Sequence, residues 1–219
     1  KTTNVCHKNY ISQYSTQYHI PISVNWTLTS SELNNCNIRK DTFTRDSMLD
    51  GHDVSPNLYA KTVYDRGHLT PAEDNLFSTQ TEIESFYMSN MTPQKPEFNR
   101  NGWKWFEELT REYAFQYGKV VVWTGPVLSD KLMKNQVAIP SYFWKVVYIP
   151  SINKTVSIYA PHTKISGQDI LNYLSTPAEI EGKAGIVIPL PSSVNKNSMG
   201  DTDDITVTAS KIRDAKTCN

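Results

Sequence analysis

The chain has 219 residues, a length that suits one domain, and with 38% hydrophobic and 11% aromatic residues it can bury a sizeable core. Its 22 Lys and Arg balance its 22 Asp and Glu, so the formal net charge is zero. That balance argues against a protein that coats nucleic acid by bulk electrostatics, while leaving room for a local basic groove. No run of 18 apolar residues is present, so no membrane span is expected.

In chain order, residues 1 to about 45 are polar and turn-rich, with a strand-like piece at Ile20–Trp26. Tyr59–Tyr64 reads as a strand that leads into the polar cluster Asp65-Arg66-Gly67-His68. An Asn-, Pro- and Ser-rich loop follows, then a predicted helix over Glu82–Ser89 and a stronger one over Asn99–Tyr117. Strands are predicted at Lys119–Trp123, where Thr124-Gly125-Pro126 ends the run, and at Tyr142–Ile149 and Thr155–Ala160. Pro150–Lys154 reads as a hairpin connection, and Gly167–Leu174 as a short helix. Tight turns between strands with unevenly inserted helices indicate an α+β fold around a central, mainly antiparallel sheet flanked by helices. No internal repeat or low-complexity tract divides the chain, which reads as a single domain over 1–219.

Two stretches carry chemistry. In Asp65-Arg66-Gly67-His68, a neutral imidazole can take a proton from water near neutral pH. Gly67 permits a close backbone approach, and Arg66 offers a rigid fork of donors suited to phosphate. Downstream, Asn90-Met91-Thr92-Pro93-Gln94 precedes Asn99, Trp103, Glu107 and Arg111, which are spaced four apart and form one stripe on a helix. Asn99 offers a hard amide oxygen of the kind magnesium accepts while keeping several waters. Eight helical residues rise about 12 Å. Glu107 can therefore share an ion with Asn99 only if the chain folds back before the helix; otherwise it acts through bound water.

Taken together, these stretches resemble the DNA/RNA non-specific endonucleases, the ββα-metal group that includes the Serratia-type nuclease and endonuclease G. The likeness continues through Val122–Pro126, Ile139-Pro140, Phe143–Val146 and Ala178–Glu181, and so spans roughly residues 45 to 190. Residues 1–45 form an extension without a match. The resemblance implies a ββα-metal motif and hydrolysis of DNA and RNA to 5′-phosphate ends, with magnesium as the cofactor and manganese as a substitute. It makes His68 the general base and Asn99 the only direct protein ligand of the metal. Glu107 orders metal-bound water, Arg66 and Arg111 hold the scissile phosphate, and Asp65, Asn90 and Gln94 support the site. A nucleic-acid-binding protein that kept the fold and lost turnover is the alternative.

Three sequons, at Asn25, Asn90 and Asn153, and a first residue other than Met suggest a secreted, extracellular protein. Asn90 is expected to be unmodified, because a glycan there would obstruct substrate. Cys6 and Cys36 could close an N-terminal loop, although Cys218 allows two other pairings. The run Asp201–Asp204 reads as a solvated loop, and His7, His19, His52 and His162 lack ligand-like spacing. DNA and RNA are the expected partners, and the oligomeric state, monomer or homodimer, is left open.

Overall fold

Three valine- and aromatic-rich strands lie side by side at the centre of the molecule. The computed structural model describes residues 1–200, so Cys218 and the Asp201–Asp204 run lie outside the described residues. The central strands are β6 (Lys119–Met133), β7 (Val137–Ile149) and β8 (Lys154–Pro161). They extend to β9 (Leu174–Ser175) on one side and to β3 (Ile20–Thr29), β2 (Ile11–Ser15) and β1 (Thr2–Cys6) on the other. All these pairings are antiparallel, in the order β1-β2-β3-β6-β7-β8-β9. A separate antiparallel pair is made by β4 (Asp65–His68) and β5 (Met91–Gln94). Three α-helices are described: α1 (Thr79–Ser85), α2 (Trp103–Tyr117) and α3 (Pro177–Ala184). The architecture is the expected α+β class.

The alternation of strand side chains sends residues to two cores. From β7, Phe143, Val147 and Ile149 join Trp103, Phe106, Tyr113 and Ala114 of α2 in the main core. Trp144 and Val146 point the other way, to Ile180 of α3 and to Ile188. The α2 residues follow the helical period, so the helix lies on the sheet along one apolar stripe. One position breaks the pattern: Lys145 shares the α2 face of β7 and is fully buried. Gly118, at φ +86°, ends α2, and its carbonyl accepts the Ser30 N–H at 2.8 Å.

Several elements depart from the sequence-based expectation. The first 29 residues supply three strands of the main sheet. Tyr59–Tyr64 holds no strand; a single 3₁₀ turn covers Pro56–Tyr59, and Asp65–His68 is itself the strand. β6 runs on past Thr124-Gly125-Pro126 to Met133. Pro126 lies beyond the last β3 partner, at Thr124, and keeps only its β7 partner Phe143. α1 lies within 79–85, ahead of the predicted helix, and the predicted Gly167–Leu174 helix is a 3₁₀ segment, Gly167–Tyr173. Cys6 is exposed and free, so the Cys6–Cys36 closure is not made. Among the described residues no helix is long and apolar enough to cross a membrane.

Candidate active site

β4 and β5 pair Asp65 with Gln94, Arg66 with Pro93, Gly67 with Thr92 and His68 with Met91. At Gly67 a β-carbon would overlap the Gln94 side chain, so glycine lets Gln94 close beneath the strand. Gln94 Nε2 donates to Thr92 Oγ1 at 3.1 Å. Asn90 brackets the backbone after His68: its Oδ1 accepts the Thr70 N–H at 2.9 Å, and its Nδ2 donates to Thr70 O and Ser85 O at 2.9 and 2.8 Å. Both side chains are fully buried. They support the site from behind and do not line it. The buried Asn90 amide is also closed to glycosylation in the folded chain.

His68 stands edge-on to Phe86, with centroids 4.6 Å apart, and 5.7 Å from Phe43. Burial, helped by the Arg39 charge and opposed by Glu73 and Asp41, pushes its imidazole down to about 3. The ring is neutral at physiological pH, and its buried Nε2 has no hydrogen-bond partner among the described residues.

Asn99 lies in one wide π-turn, Phe98–Gly102, that runs directly into α2. Its Nδ2 donates to Asp65 Oδ2 at 3.0 Å. Because an ionised carboxylate only accepts, Asp65 fixes which end of the amide is which, and Asn99 Oδ1 is turned away from it. Arg100 grips the same carboxylate through Nε at 3.0 Å and Nη2 at 2.7 Å. The turn is pinned where the Gly102 N–H meets Ile165 O at 2.8 Å, and where Asn101 Oδ1 accepts the Gly167 N–H at 2.7 Å. His162 anchors the approach. Its Nε2 accepts the Lys95 N–H, and its Nδ1 donates to Pro140 O, both at 2.8 Å. That arrangement requires neutral imidazole, and burial lowers His162 to about 4.

On α2, Arg111 Nη1 donates to Asp74 Oδ1 at 3.0 Å, and Trp26 Nε1 donates to Asp74 Oδ2 at 2.9 Å. Burial raises the Glu107 carboxyl to about 7, against the pull of Lys145 and Arg111. Arg39 reaches in from the N-terminal part of the chain, bound to Glu73 at 2.8 Å and to Asp41 at 2.7 Å. Arg66 lies 3.8 Å over the Phe43 ring and makes no ion pair among the described residues.

These groups line a cleft with two wings that meet at Arg39, His68, Asn99 and Arg100. One wing, about 490 Å³, extends past Asp65 and Arg66 to Phe43, Tyr59 and Tyr64. The other, about 600 Å³, extends to Lys104, Glu107 and Arg111. The structure thus brings His68, Arg66, Asp65, Asn99, Glu107 and Arg111 to one cleft and leaves Asn90 and Gln94 beneath it. Sequence reading missed Arg39, Phe43, Asp74 and Lys145. The first three had no motif around them, whereas Lys145 was marked by a charge inside an aromatic, valine-rich strand and by its place in the Phe143–Val146 stretch.

Chemically, the cleft offers a neutral base, an oriented amide oxygen and several guanidinium groups. A family model of DNA/RNA non-specific endonucleases matches residues 1–196. Relatives include a nuclease of Nostoc sp., 37% identical over 129 residues (58% of this chain and 47% of the relative). Another is the mitochondrial Nuclease 1 of Schizosaccharomyces pombe, 30% identical over 201 residues (80% of this chain and 62% of the relative). The chain thus spans about half the length of these curated relatives, somewhat more for the second. A solved structure of EndoG in complex with EndoGI superposes with a TM-score of 0.77 at 28% identity, covering 84% of each chain.

Proposed function

We propose that this chain, which belongs to the DNA/RNA non-specific endonuclease family, hydrolyses phosphodiester bonds of both DNA and RNA, with His68 as general base and a divalent cation at Asn99. The observation that carries the reading is the cleft itself, where neutral His68 and the Asp65-oriented amide of Asn99 line the same two wings.

Among the described residues, no three His, Cys, Asp or Glu side chains cluster as a metal cage. The residues fit magnesium nonetheless, because that ion keeps most of its waters and needs few protein oxygens. Manganese would be accepted by the same hard donor. A cation held there would supply positive charge to the phosphate and to the leaving oxygen. The His68 imidazole takes the proton from the attacking water. Arg66 and Arg111 hold the phosphate oxygens and stabilise the charge that develops on them. The π-turn continues straight into α2, so Glu107 stays about two turns from Asn99 and holds water instead of sharing the ion. Contacts to phosphate and sugar carry little base information, which accounts for activity on both nucleic acids. Cleavage on this route leaves 5′-phosphate ends, and we place the protein outside the cell on the strength of its sequons.

Digestion of plasmid and of RNA by wild type and His68→Ala, with magnesium and with EDTA, tests the proposal. Metal-dependent cleavage of both substrates is expected, with a loss of at least about 100-fold in the variant. Binding without cleavage under every condition would instead identify a protein that kept the fold and lost turnover.

A further inference from the structure

His7 takes no part in the mechanism above, yet it stands in the turn between β1 and β2 with its side chain only 4% exposed. Each ring nitrogen meets a different carboxylate. Nε2 lies 2.6 Å from Asp46 Oδ2, and Nδ1 lies 3.1 Å from Glu84 Oε2. The second oxygen of each carboxylate is also engaged as an acceptor: Glu84 Oε1 takes the Lys8 N–H at 3.1 Å, and Asp46 Oδ1 takes the Met48 N–H at 2.9 Å. Ionised carboxylates only accept, so a ring between two of them donates from both nitrogens. The hydrogen bonds therefore call for an imidazolium at His7.

What this ring holds is the segment that seats His68. Glu84, in the last turn of α1, comes two residues before Phe86, against which His68 stands edge-on. At the other end, Ser89 Oγ donates to Asp46 Oδ2, the same oxygen that meets His7. Asn90 follows directly. Its carbonyl accepts the Leu69 N–H at 3.0 Å, and its side chain brackets Thr70. The same hairpin adds Tyr10, whose hydroxyl donates to Glu84 O at 2.7 Å, and Ser12, whose Oγ donates to Ser89 O at 2.6 Å. Thr44 holds the middle of the segment through backbone bonds to Phe86 and Met88, at 3.1 and 2.9 Å. One charged ring thus ties both ends of residues 84–89, directly at Glu84 and through Asp46 at Ser89.

The other titratable groups nearby do not share the role. The Tyr10 and Tyr87 rings face His7 with centroids 5.0 and 5.1 Å away. Burial raises both phenols, so they stay neutral where a histidine titrates. Asp53 accepts the Asp46 N–H at 2.7 Å and is itself paired with Arg45.

We propose that His7 is a positioning residue, whose imidazolium clamps both ends of residues 84–89 and so holds Phe86 and Asn90 where they seat His68. The ring is raised above its ordinary 6.5 by Asp46 and Glu84, against burial. The clamp is therefore present below that value and is released as pH rises through the raised one.

The first test needs no cleavage and does not depend on the nuclease reading. NMR of the histidine rings in the metal-free full chain, assigned from their backbone resonances, follows both residues with pH. The His68 resonances should shift with the midpoint of His7. In His7→Gln, whose amide carries no charge, that inflection should vanish and His68 should keep its high-pH position throughout. The permanently charged His7→Arg should also remove it but keep the low-pH position. If neither variant folds, the coincidence of the two midpoints in the wild type decides.

The kinetic test rests on the nuclease reading. Under magnesium, wild-type kcat should fall about tenfold or more as His7 loses its proton, the order of effect of a small misplacement of a catalytic group, with KM little changed. His7→Gln should be low below the midpoint and meet the wild type above it, whereas His7→Arg should pass through it unchanged. A histidine that merely stabilises the fold would give parallel profiles. His68 resonances that ignore the His7 titration, or a His7→Gln profile parallel to that of the wild type, overturn the proposal. If the resonances follow His7 while wild type cuts neither DNA nor RNA, the fault lies with the nuclease reading and not with His7.

Discussion

Asp65 does more than its place beside Arg66 suggests, because one carboxylate accepts from Asn99 Nδ2 and from both Arg100 nitrogens. An outer partner of this kind decides which atom of the amide faces a cation. Asp65→Asn presents its own N–H groups to Arg100 and Asn99, so the amide is no longer fixed. We expect cation affinity to fall about 10- to 100-fold, the usual effect of losing such a partner. Titration of the protein with manganese by electron paramagnetic resonance measures it directly, and an unchanged Kd would show that Asn99 is oriented by something else. His68 and Asn99 were legible in the sequence, because motif and spacing name them together. Arg39 and Phe43 were not, because each reaches the cleft from a distant segment with nothing local to mark it.

At the scale of elements, the π-turn Phe98–Gly102 sets where Asn99 stands, and Gly102 sets the turn. A β-carbon on Gly102 would come within 2.8 Å of both Ile165 O and Ile165 Cγ2. A backbone carbonyl already engaged with the Gly102 N–H does not yield easily. Gly102→Ala should therefore cost about 1–3 kcal/mol, as overpacking does, and weaken cation binding by shifting Asn99. Gly182 is the control: it lies inside α3, and a β-carbon there meets nothing within 4 Å. Gly182→Ala should stabilise by up to about 1 kcal/mol and leave the cleft alone. Urea midpoints for the two variants should move in opposite directions. The valine-rich strands were readable from composition. The extension of β6 beyond Pro126 was not, since a proline reads as a terminator until the absence of a further β3 partner is known.

At the scale of the whole molecule, the first 45 residues looked like an extension because β1, β2 and β3 form a meander that joins the central sheet only where β3 pairs with β6, about a hundred residues away. Sequence periodicity does not report partners of that kind. The same long-range closure buries histidines whose titration couples folding to pH. His162 and His68 are held at about 4 and about 3 in the folded chain, against roughly 6.5 unfolded. Both are depressed, so the unfolded chain binds more protons between these values. The stability they confer is complete above about 6.5 and is lost as pH falls through 4 towards 3. His7 has the opposite sign: burial lowers it, but Asp46 and Glu84 outweigh burial and leave it raised. Its contribution is present below the unfolded value and fades as pH rises through the raised one. The stability maximum should thus sit near neutrality, with the acid side the steeper. For His162, almost wholly buried, a depression of that size corresponds to roughly 3 kcal/mol between pH 7 and pH 4. His162→Asn should start from a lower urea midpoint at pH 7 and then lose less on acidification than wild type. Parallel losses in the two proteins would move the acid sensitivity to His68 and the carboxylates around it.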